Sequence, residues 1–267
     1  MTGEDIYFAG VGDVHGEMYE MLGLLKKWES RLSFVLQVGD FEPHRHEADL
    51  QTMDAPGKYR KLGSFAHFYN GSAVFPYPVW FIGGNHEPYG FLDRIANNTE
   101  IATNCYYLGR VGTVELAGLK IVGLSGIYKE HLFEKRPPIE EIDRHSNADY
   151  IGFTENEVLQ GLEFQRADIL LLHEWPRGLM TPDNRLDVID PEMVGNEYAR
   201  MLVDSLKPRL VLCGHMHRYF CHQIVWPDDT ITRVCCLAHT RSGSNAVEIF
   251  RLSGNRSIES LRSLDER

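Results

Sequence analysis

Histidine, aspartate and asparagine side chains follow several short apolar segments of this sequence. In "FIGGNHEPYG", residues 81–90, two glycines separate an apolar run from Asn85, His86 and Glu87. Four other apolar runs end in "GDVHG", "GDFEPHRHE", "HEWPRG" and "GHMH". Together the five motifs supply eight residues that can bind metal ions or transfer protons: Asp13, His15, Asp40, Asn85, His86, His173, His215 and His217.

Each motif alone has a purely structural explanation. Asp13 could cap the helix that follows it, because aspartate is a favoured N-cap residue. Asp40 could be a turn residue, and His173 could be a core histidine that binds the backbone. The five motifs together are harder to explain in this way, since a buried polar group without a partner costs several kcal/mol. A pair of divalent cations would satisfy nearly all of these groups.

The types of donor atom indicate which metal ions would fit. Imidazole and carboxylate groups suit zinc, manganese and iron(II), and no set of thiolates favours a softer metal. Eight residues are too many for one tetrahedral ion, but they suit two ions about 3.5–4 Å apart, the spacing used for displacement at phosphorus. A histidine whose pKa lies near neutral pH could then serve as a general acid. The motifs therefore predict two divalent metal ions (Mn, Fe or Zn) at a phosphoryl-transfer site.

A sheet is needed to bring these motifs together. Strands that alternate with helices place such motifs at the carboxyl ends of the strands, along one edge of a sheet. Two further regions have the alternation of antiparallel strands, with a turn at Ala117-Gly118. The expected fold is an α/β, two-sheet β-sandwich flanked by α-helices, in a single domain over residues 1–267. Strands are predicted at 6–11, 34–38, 79–82, 106–124 (two or three), 169–172, 210–213 and within 223–252. Helices are predicted at 18–28 and at about 192–206, and a third helix begins at a capping box over 154–157 and runs toward 165.

Composition narrows the classes of function. The 267 residues contain no apolar run of the length that a membrane span needs, so no membrane partner is expected. The first ten residues are acidic where a signal peptide is basic, which predicts a cytoplasmic protein. The formal charge of −11 argues against extended binding of duplex DNA. Five cysteines without a CxxC spacing are expected to be buried thiols, with Cys235 and Cys236 on opposite faces of a strand.

The motifs "GDVHG", "GD", "GNHE", "H" and "GHMH", in this order over residues 12–217, resemble those of the calcineurin-type metallophosphoesterases. The resemblance implies the fold of that family and a phosphoesterase activity. It also implies a ligand set: Asp13, His15 and His217 for one metal ion, Asn85, His173 and His215 for the other, and Asp40 between them. His86 would protonate the leaving oxygen rather than bind a metal. Glu87 would either orient His86 or the Asn85 loop, or be a plain surface carboxylate.

Longer segments resemble the RNA lariat debranching enzymes, which hydrolyse a 2′,5′-phosphodiester at a branch point. They include "VGDFEPHRHEADL", "PGKYRK", "FIGGNHEPYGFL", "GLSGIYKEH" and "LLHEWPR". Residues 126–152 occupy the place of that family's substrate-recognition loop. Aromatic and basic groups suit unpaired bases and phosphates, which makes three loop residues and one residue near the second motif candidates for RNA binding: Tyr128, Lys129, His131 and Arg45. Phe133, Lys135 and Arg136 in the loop, and Lys58 and Arg60, are further candidates.

One departure and several alternatives remain open. The eukaryotic debranching enzymes typically carry cysteine where this sequence has Asp13, so the first metal site is here of the ordinary carboxylate type. The loop charges could equally be solvated and bind nothing. The substrate could be a cyclic or dinucleoside phosphate, since the net negative charge suits a small molecule. A scaffold that only binds partners is the third alternative, and the complete set of motif residues argues against it.

Overall fold

Two mixed β-sheets stack face to face at the centre of the structure. The computed structural model describes residues 5–180, 194–254 and 256–262. The seven-stranded sheet has the order β13-β12-β1-β2-β3-β5-β4, and the six-stranded sheet the order β10-β11-β9-β8-β7-β6. The strands are β1 (Ile6–Val11), β2 (Leu32–Gln37), β3 (Val79–Phe81), β4 (Thr99–Ala102), β5 (Cys105–Tyr107), β6 (Val111–Leu116), β7 (Leu119–Leu124), β8 (Ile169–Leu172), β9 (Leu210–Cys213), β10 (Phe220–Val225), β11 (Ile231–Cys236), β12 (Val247–Leu252) and β13 (Ile258–Ser260).

The central strands of each sheet run parallel to one another. In the first sheet β1, β2, β3 and β5 are parallel, and β12 pairs with β1 in the antiparallel sense. In the second sheet β7, β8, β9 and β11 are parallel, and β10 and β6 are antiparallel edge strands. Because parallel strands end at the same edge of a sheet, the loops after β1, β2, β3, β8 and β9 lie where a shared site can form.

Apolar side chains from both sheets fill the space between them, and helices cover the two outer faces. Phe8, Leu36 and Phe250 of the first sheet pack with Leu171 and Leu212 of the second. The helices are α1 (Met18–Leu25), α2 (Phe65–Tyr69), α3 (Tyr89–Leu92), α4 (Glu130–Phe133), α5 (Glu155–Glu163) and α6 (Glu197–Leu206). The longest of them, α6, has ten residues, and no described helix is long and apolar enough to cross a membrane.

The predicted fold class and most of the predicted strands are confirmed. The strands at 6–11, 169–172 and 210–213 have the predicted bounds, whereas β2 begins two residues early, at Leu32. The turn at Ala117-Gly118 is confirmed, with φ of 51° and 72°. The first helix was predicted too long, since α1 ends at Leu25 and continues as a short 3-10 turn over Lys26–Trp28. Helix α6 begins after the N-cap Asn196, and residues 192 and 193 of the predicted helix lie outside the described residues.

The segment 126–152, which occupies the place of a substrate-recognition loop, is folded onto the protein. It contains α4 and two 3-10 turns, and it buries Leu132, Ile142 and Tyr150. Arg136 pairs with Glu157 at 2.6 and 3.0 Å and donates to the carbonyl oxygen of Gly152 at 2.8 Å. Glu157 also completes the predicted capping box, which is confirmed, by accepting from the backbone N–H of Thr154. One carboxylate therefore begins α5 and anchors the preceding segment.

Replacing Glu157 by alanine is expected to destabilise the protein more than replacing Thr154 by alanine. Glu157→Ala leaves the guanidinium of Arg136, whose side chain is 15% exposed, with only the more distant carboxylate of Asp93, at 4.0 Å. Breaking such a buried pair costs about 3–5 kcal/mol. Thr154→Ala removes one hydrogen bond at a helix N-terminus and costs about 1 kcal/mol. Urea denaturation followed by circular dichroism measures both changes in the free energy of unfolding.

Glu157→Gln is the matched control for the charge. Burial raises the pKa of Glu157, but the bonds with Arg136 outweigh burial and hold the pKa below its ordinary value of 4.5. A lowered pKa stabilises the folded protein above that value, and this contribution is lost as the pH falls. The stability gap between wild type and Glu157→Gln should therefore narrow below pH 4.5. Equal losses in Glu157→Ala and Thr154→Ala would contradict the importance of the ion pair.

Candidate metal centre

The loops after β1, β2, β3, β8 and β9 meet at one edge of the sandwich. The backbone N–H groups of Val14 and His15 both donate to the carbonyl oxygen of Asp40, at 3.0 and 2.8 Å, which joins the first two loops. Gly214 donates to the carbonyl oxygen of His173 at 3.0 Å, which joins the loops of the second sheet. Between the sheets, the N–H of His215 donates to the Asp13 carboxylate at 3.1 Å. All eight residues singled out in the sequence lie in these connected loops.

Four of the predicted ligands form a first group. Each of Asp13, His15, Asp40 and His217 offers one ligand atom, and these atoms all lie within 4.8 Å of one another. Nε2 of His217 is 3.0 Å from Oδ2 of Asp13 and 3.1 Å from Nε2 of His15. Two imidazole nitrogens and two carboxylates at these separations suit a divalent transition-metal ion.

A second group lies on the other side of Asp40. Nε2 of His173 is 3.1 Å from Oδ1 of Asn85 and 3.5 Å from Oδ1 of Asp40. Nδ1 of His173 donates to the carbonyl oxygen of Val38 at 2.8 Å, which leaves Nε2 as the nitrogen able to bind a metal. The ring of His215 lies 5.0 Å from that of His173, centroid to centroid. The structure thus brings all seven predicted ligands together, with Asp40 common to both groups.

The backbone of the site is strained at the candidate ligands. Positive φ is uncommon for residues other than glycine. Five site residues adopt it, with φ between 49° and 67°: His15, Asp40, Glu42, His215 and His217. Strained backbone of this kind clusters at functional sites, where the surrounding structure maintains it. The contacts of the side chains, rather than the backbone preferences of the residues, therefore determine the conformation of these loops.

Two glycines allow the loops to approach one another. A Cβ atom on Gly84 would lie 2.2 Å from Oδ1 of Asp40, and one on Gly39 would lie 2.5 Å from Nδ1 of His173. Gly39 also has a φ of 98°, which favours glycine. Any larger residue at either position would displace a candidate ligand.

The buried carboxylates dominate the electrostatics of the site. Burial lowers the pKa of His15, but the hydrogen bond with Glu42 and the charges of Asp40 and Asp13 outweigh burial and raise it to about 9. Burial likewise lowers the pKa of His173, and Asp40 raises it to about 10. The pKa of His215 falls to about 4, because of burial and the neighbouring His173. The site attracts positive charge, which bound cations would supply in place of protons.

His86 lies beside the two groups and outside them. Its backbone N–H donates to Oδ1 of Asp40 at 2.8 Å, and its Nδ1 donates to the carbonyl oxygen of Asp54 at 2.6 Å. Its ring lies 5.7 Å from that of His15, and it lines a cavity of about 510 Å³ that opens beside the first group. This location suits proton transfer to a ligand in the cavity better than metal binding.

Glu87 is fully buried, so a plain surface carboxylate is the wrong description. Its two oxygens accept hydrogen bonds from three backbone N–H groups, those of Phe41, Glu42 and Gly84, at 2.8, 2.9 and 3.1 Å. Burial and the charge of Asp40 raise the pKa of Glu87 to about 8, against the three N–H groups that lower it. Glu87 therefore holds the loop after β2 against the loop after β3.

Sequence reasoning missed several residues that line the cavity. Oε1 of Glu42 contacts Nδ1 of His15 at 2.8 Å and orients that ring. The ring of His239 lies 4.8 Å from that of His217. His239 follows β11 in "CLAHT", a further polar strand end that the sequence displays. Three further basic or aromatic side chains of the lining were also missed: Tyr59, Lys61 and Arg241.

The residues predicted to bind substrate lie elsewhere. Arg45 pairs with Asp49 at 2.8 and 2.9 Å and stacks over the ring of Phe91, so it is held as a structural group. Tyr128 packs against Phe133 and Tyr198. Lys129 precedes α4, and His131 is exposed, 3.7 Å from Asp149. None of the four predicted residues is among those that line the cavity.

Of the further candidates, only Lys58 lies in the cavity lining. Arg136 is engaged with Glu157, and Arg60 donates to the carbonyl oxygen of Ala55.

Known proteins resemble this chain in sequence and in fold. A lariat debranching enzyme of Entamoeba histolytica is 34% identical over 227 residues, which cover 79% of this chain and 64% of the relative. That of Arabidopsis thaliana is 30% identical over 261 residues, which cover 90% and 62%. The chain thus spans less than two thirds of the length of these relatives. A dimetal phosphatase from Danio rerio has the same fold, with a TM-score of 0.51 at 13% identity, covering 96% of this chain and 98% of that one.

The sequence pattern of a whole family matches most of the chain. The model of the calcineurin-like phosphoesterases aligns with residues 6–219. This range contains every one of the five strand-end motifs and both groups of candidate ligands. The chain therefore belongs to the calcineurin-like phosphoesterase family.

Proposed function

We propose that this chain is a phosphodiesterase that uses two divalent metal ions to hydrolyse a 2′,5′-phosphodiester bond in branched RNA. The observation that carries the proposal is the pair of ligand groups around Asp40, with His86 in the adjoining cavity. The relatives named lariat debranching enzymes support the choice of substrate. A dinuclear site suits this reaction because two ions can stabilise both the attacking and the leaving oxygen.

The donor set fits two divalent ions. One ion would be held by Asp13, His15 and His217. The other would be held by Asn85, His173 and His215, and Asp40 would contribute to both sites. In the described part of the chain, Asp13 and Asp40 bond to imidazoles and backbone N–H groups, with no lysine or arginine among their partners. Their negative charge is therefore left for cations. Manganese, iron and zinc all accept these ligands.

Bound ions would supply positive charge against the phosphoryl oxygens and lower the pKa of a water molecule. The protein itself orients the groups that act with them. Because Nδ1 of His86 donates to a carbonyl oxygen, Nε2 faces away from that bond. With both ring nitrogens protonated, the imidazolium of His86 can give the Nε2 proton to the leaving oxygen. Glu42 and the carbonyl oxygen of Val38 fix the rings of His15 and His173 in the same manner.

The cavity lining favours RNA over a small cyclic or dinucleoside phosphate. Lys58 and Lys61 supply local positive charge, although the whole chain carries −11, whereas Arg241 pairs with Glu17 of the same lining. Tyr59 is 60% exposed, so its ring is available to stack on an unpaired base. We further propose that Tyr128, Lys129 and His131 contact RNA beyond the scissile phosphate. Their segment is linked to the site, since the N–H of Tyr128 donates to Glu174, the residue after His173.

His86→Ala is expected to lower kcat by about a hundredfold to ten-thousandfold, the range that a general acid supplies. Its metal content should equal that of wild type, because His86 belongs to neither ligand group. Steady-state kinetics and elemental analysis of the same preparations measure both. His46→Ala is the control, since that histidine is exposed and lies in a neighbouring loop. Full activity of His86→Ala would exclude its role as the acid.

Metal stoichiometry tests the two ligand groups separately. Wild type reconstituted with Mn²⁺ should bind about two ions per chain. His173→Ala and Asp13→Ala should each lose about one ion, whereas Asp40→Ala should weaken both sites. Elemental analysis after desalting gives the counts, and circular dichroism verifies the fold. One ion in wild type, or identical counts in all three variants, would contradict a shared Asp40.

A substrate panel tests the linkage. With each of Mn²⁺, Fe²⁺ and Zn²⁺, a 2′,5′-linked dinucleotide and a branched RNA should be cleaved at least about a hundredfold faster than a 3′,5′-linked dinucleotide. Tyr59→Ala should raise KM for the branched RNA more than for the dinucleotide. Cleavage of cyclic or dinucleoside phosphates without cleavage of the 2′,5′ linkage would favour the small-molecule alternative. Binding of metal and RNA without any hydrolysis would favour a scaffold.

A further inference from the structure

Cys221 and Cys235 face each other across the antiparallel strands β10 and β11. They are direct partners in the register, and their Sγ atoms lie 3.4 Å apart. Cα atoms of such partners are about 4.5–5.5 Å apart. This separation lies within the range that a disulfide spans, about 4.4–6.8 Å. A bond between the two sulfur atoms therefore needs side-chain rotation and no rearrangement of the sheet.

The neighbours of the pair favour a thiolate. The guanidinium of Arg233 lies beside both sulfur atoms, with Nη2 4.0 Å from Sγ of Cys221 and Nε 3.3 Å from Sγ of Cys235. The Tyr219 hydroxyl, which donates to Glu248, lies 3.1 Å from Sγ of Cys221. A cation beside a sulfur stabilises its deprotonated form. The hydrogen bond with Cys235 lowers the pKa of Cys221 most, Tyr219 adds to this, and together they overcome burial to give a pKa of about 6. Cys235 is fully buried, and its pKa is raised.

A metal ion is a less suitable occupant of this cluster. Glu248 has an oxygen within 4.8 Å of both sulfur atoms, so three potential ligands are present. However, Glu248 is already paired with Arg233 at 3.1 Å and with Arg262 at 3.7 Å. Two guanidinium groups neutralise the carboxylate and would repel a cation, which favours chemistry between the two sulfurs.

We propose that Cys221 and Cys235 form a peroxide-sensitive pair that closes to an intrachain disulfide. The Cys221 thiolate attacks one oxygen of hydrogen peroxide, an S–O bond forms, the O–O bond breaks, and hydroxide leaves and takes up the thiol proton as water. Sγ of Cys235 then attacks Sγ of Cys221, an S–S bond forms, and the sulfenic oxygen leaves with the Cys235 proton as water. The two thiols lose two electrons to one peroxide, which becomes two water molecules.

A second pair of cysteines, Cys213 and Cys236, has an equally short distance between its sulfur atoms but differs in burial. Sγ of Cys213 and Sγ of Cys236 are 3.2 Å apart on β9 and β11. Both residues are completely buried, and burial raises the pKa of Cys236. Cys221 is partly exposed on the edge strand β10. Its disulfide would join the strand that follows His217 to the strand that leads to His239.

Peptide mapping of the full chain after brief treatment with hydrogen peroxide tests the proposal. The protein is first freed of metal with a chelator, which separates thiol oxidation from redox chemistry of a bound ion. Wild type should lose two hydrogen atoms and yield a Cys221–Cys235 cross-linked peptide without reducing agent. The rate should exceed that of oxidation at Cys105, Cys213 or Cys236 by about tenfold or more.

Three variants test the formation of the sulfenic acid and the formation of the disulfide separately. Cys221→Ser should form no disulfide, and Cys235→Ser should accumulate a sulfenic acid at Cys221 that reacts with dimedone. Cys213→Ser is the matched control and should form the Cys221–Cys235 bond at the wild-type rate. A bond that maps to Cys213–Cys236, or oxidation of Cys221 no faster than that of the buried thiols, would overturn the proposal. The peptide map of wild type alone shows whether the Cys221–Cys235 disulfide forms, so the test does not depend on the folding of any variant.

Discussion

The carboxylate of Glu87 holds together the two loops on which the candidate site depends. Its three hydrogen bonds cross from the loop after β3 to the loop after β2. The first loop carries Asn85 and His86, and the second carries Asp40 and Glu42. Because backbone N–H groups are fixed donors, this anchor sets the separation of the loops independently of any metal ion. The second group of candidate ligands and His86 then keep a defined relation to Asp40.

Close approach of the backbone is the second condition for the site. The contacts of Gly84 with Asp40 and of Gly39 with His173 leave no room for a Cβ atom. Positive φ at His15, His215 and His217 adds a cost of about 1 kcal/mol or more each. The apolar layer between the sheets offsets these costs, because it fixes the strands from which the loops emerge. A stable sandwich can thus maintain a strained and highly charged edge.

The sequence predicted the positions of the strand-end side chains better than the contacts of the surface side chains. Parallel strands fix where their carboxyl ends lie, so Asp13, Asp40, Asn85 and His173 could be placed together from their motifs. Arg45 was a candidate for RNA binding because its pairing with Asp49, in a local turn, was not evident from the sequence. Arg136 looked like an RNA-binding residue until its contact with Glu157, 21 positions later, was visible. His239 was missed because it stands alone after its strand, without the glycine that precedes the polar residues in four of the five motifs.

The two sheets contribute different parts of each candidate metal site. Asp13, His15 and Asn85 follow strands of the first sheet, whereas His173, His215 and His217 follow strands of the second. Any ion held by either group would therefore join the two sheets at the edge where Asp13 and Asp40 lie. An ion that binds only the folded protein stabilises it by mass action. Metal binding in this architecture would thus serve the stability of the sandwich as well as its chemistry.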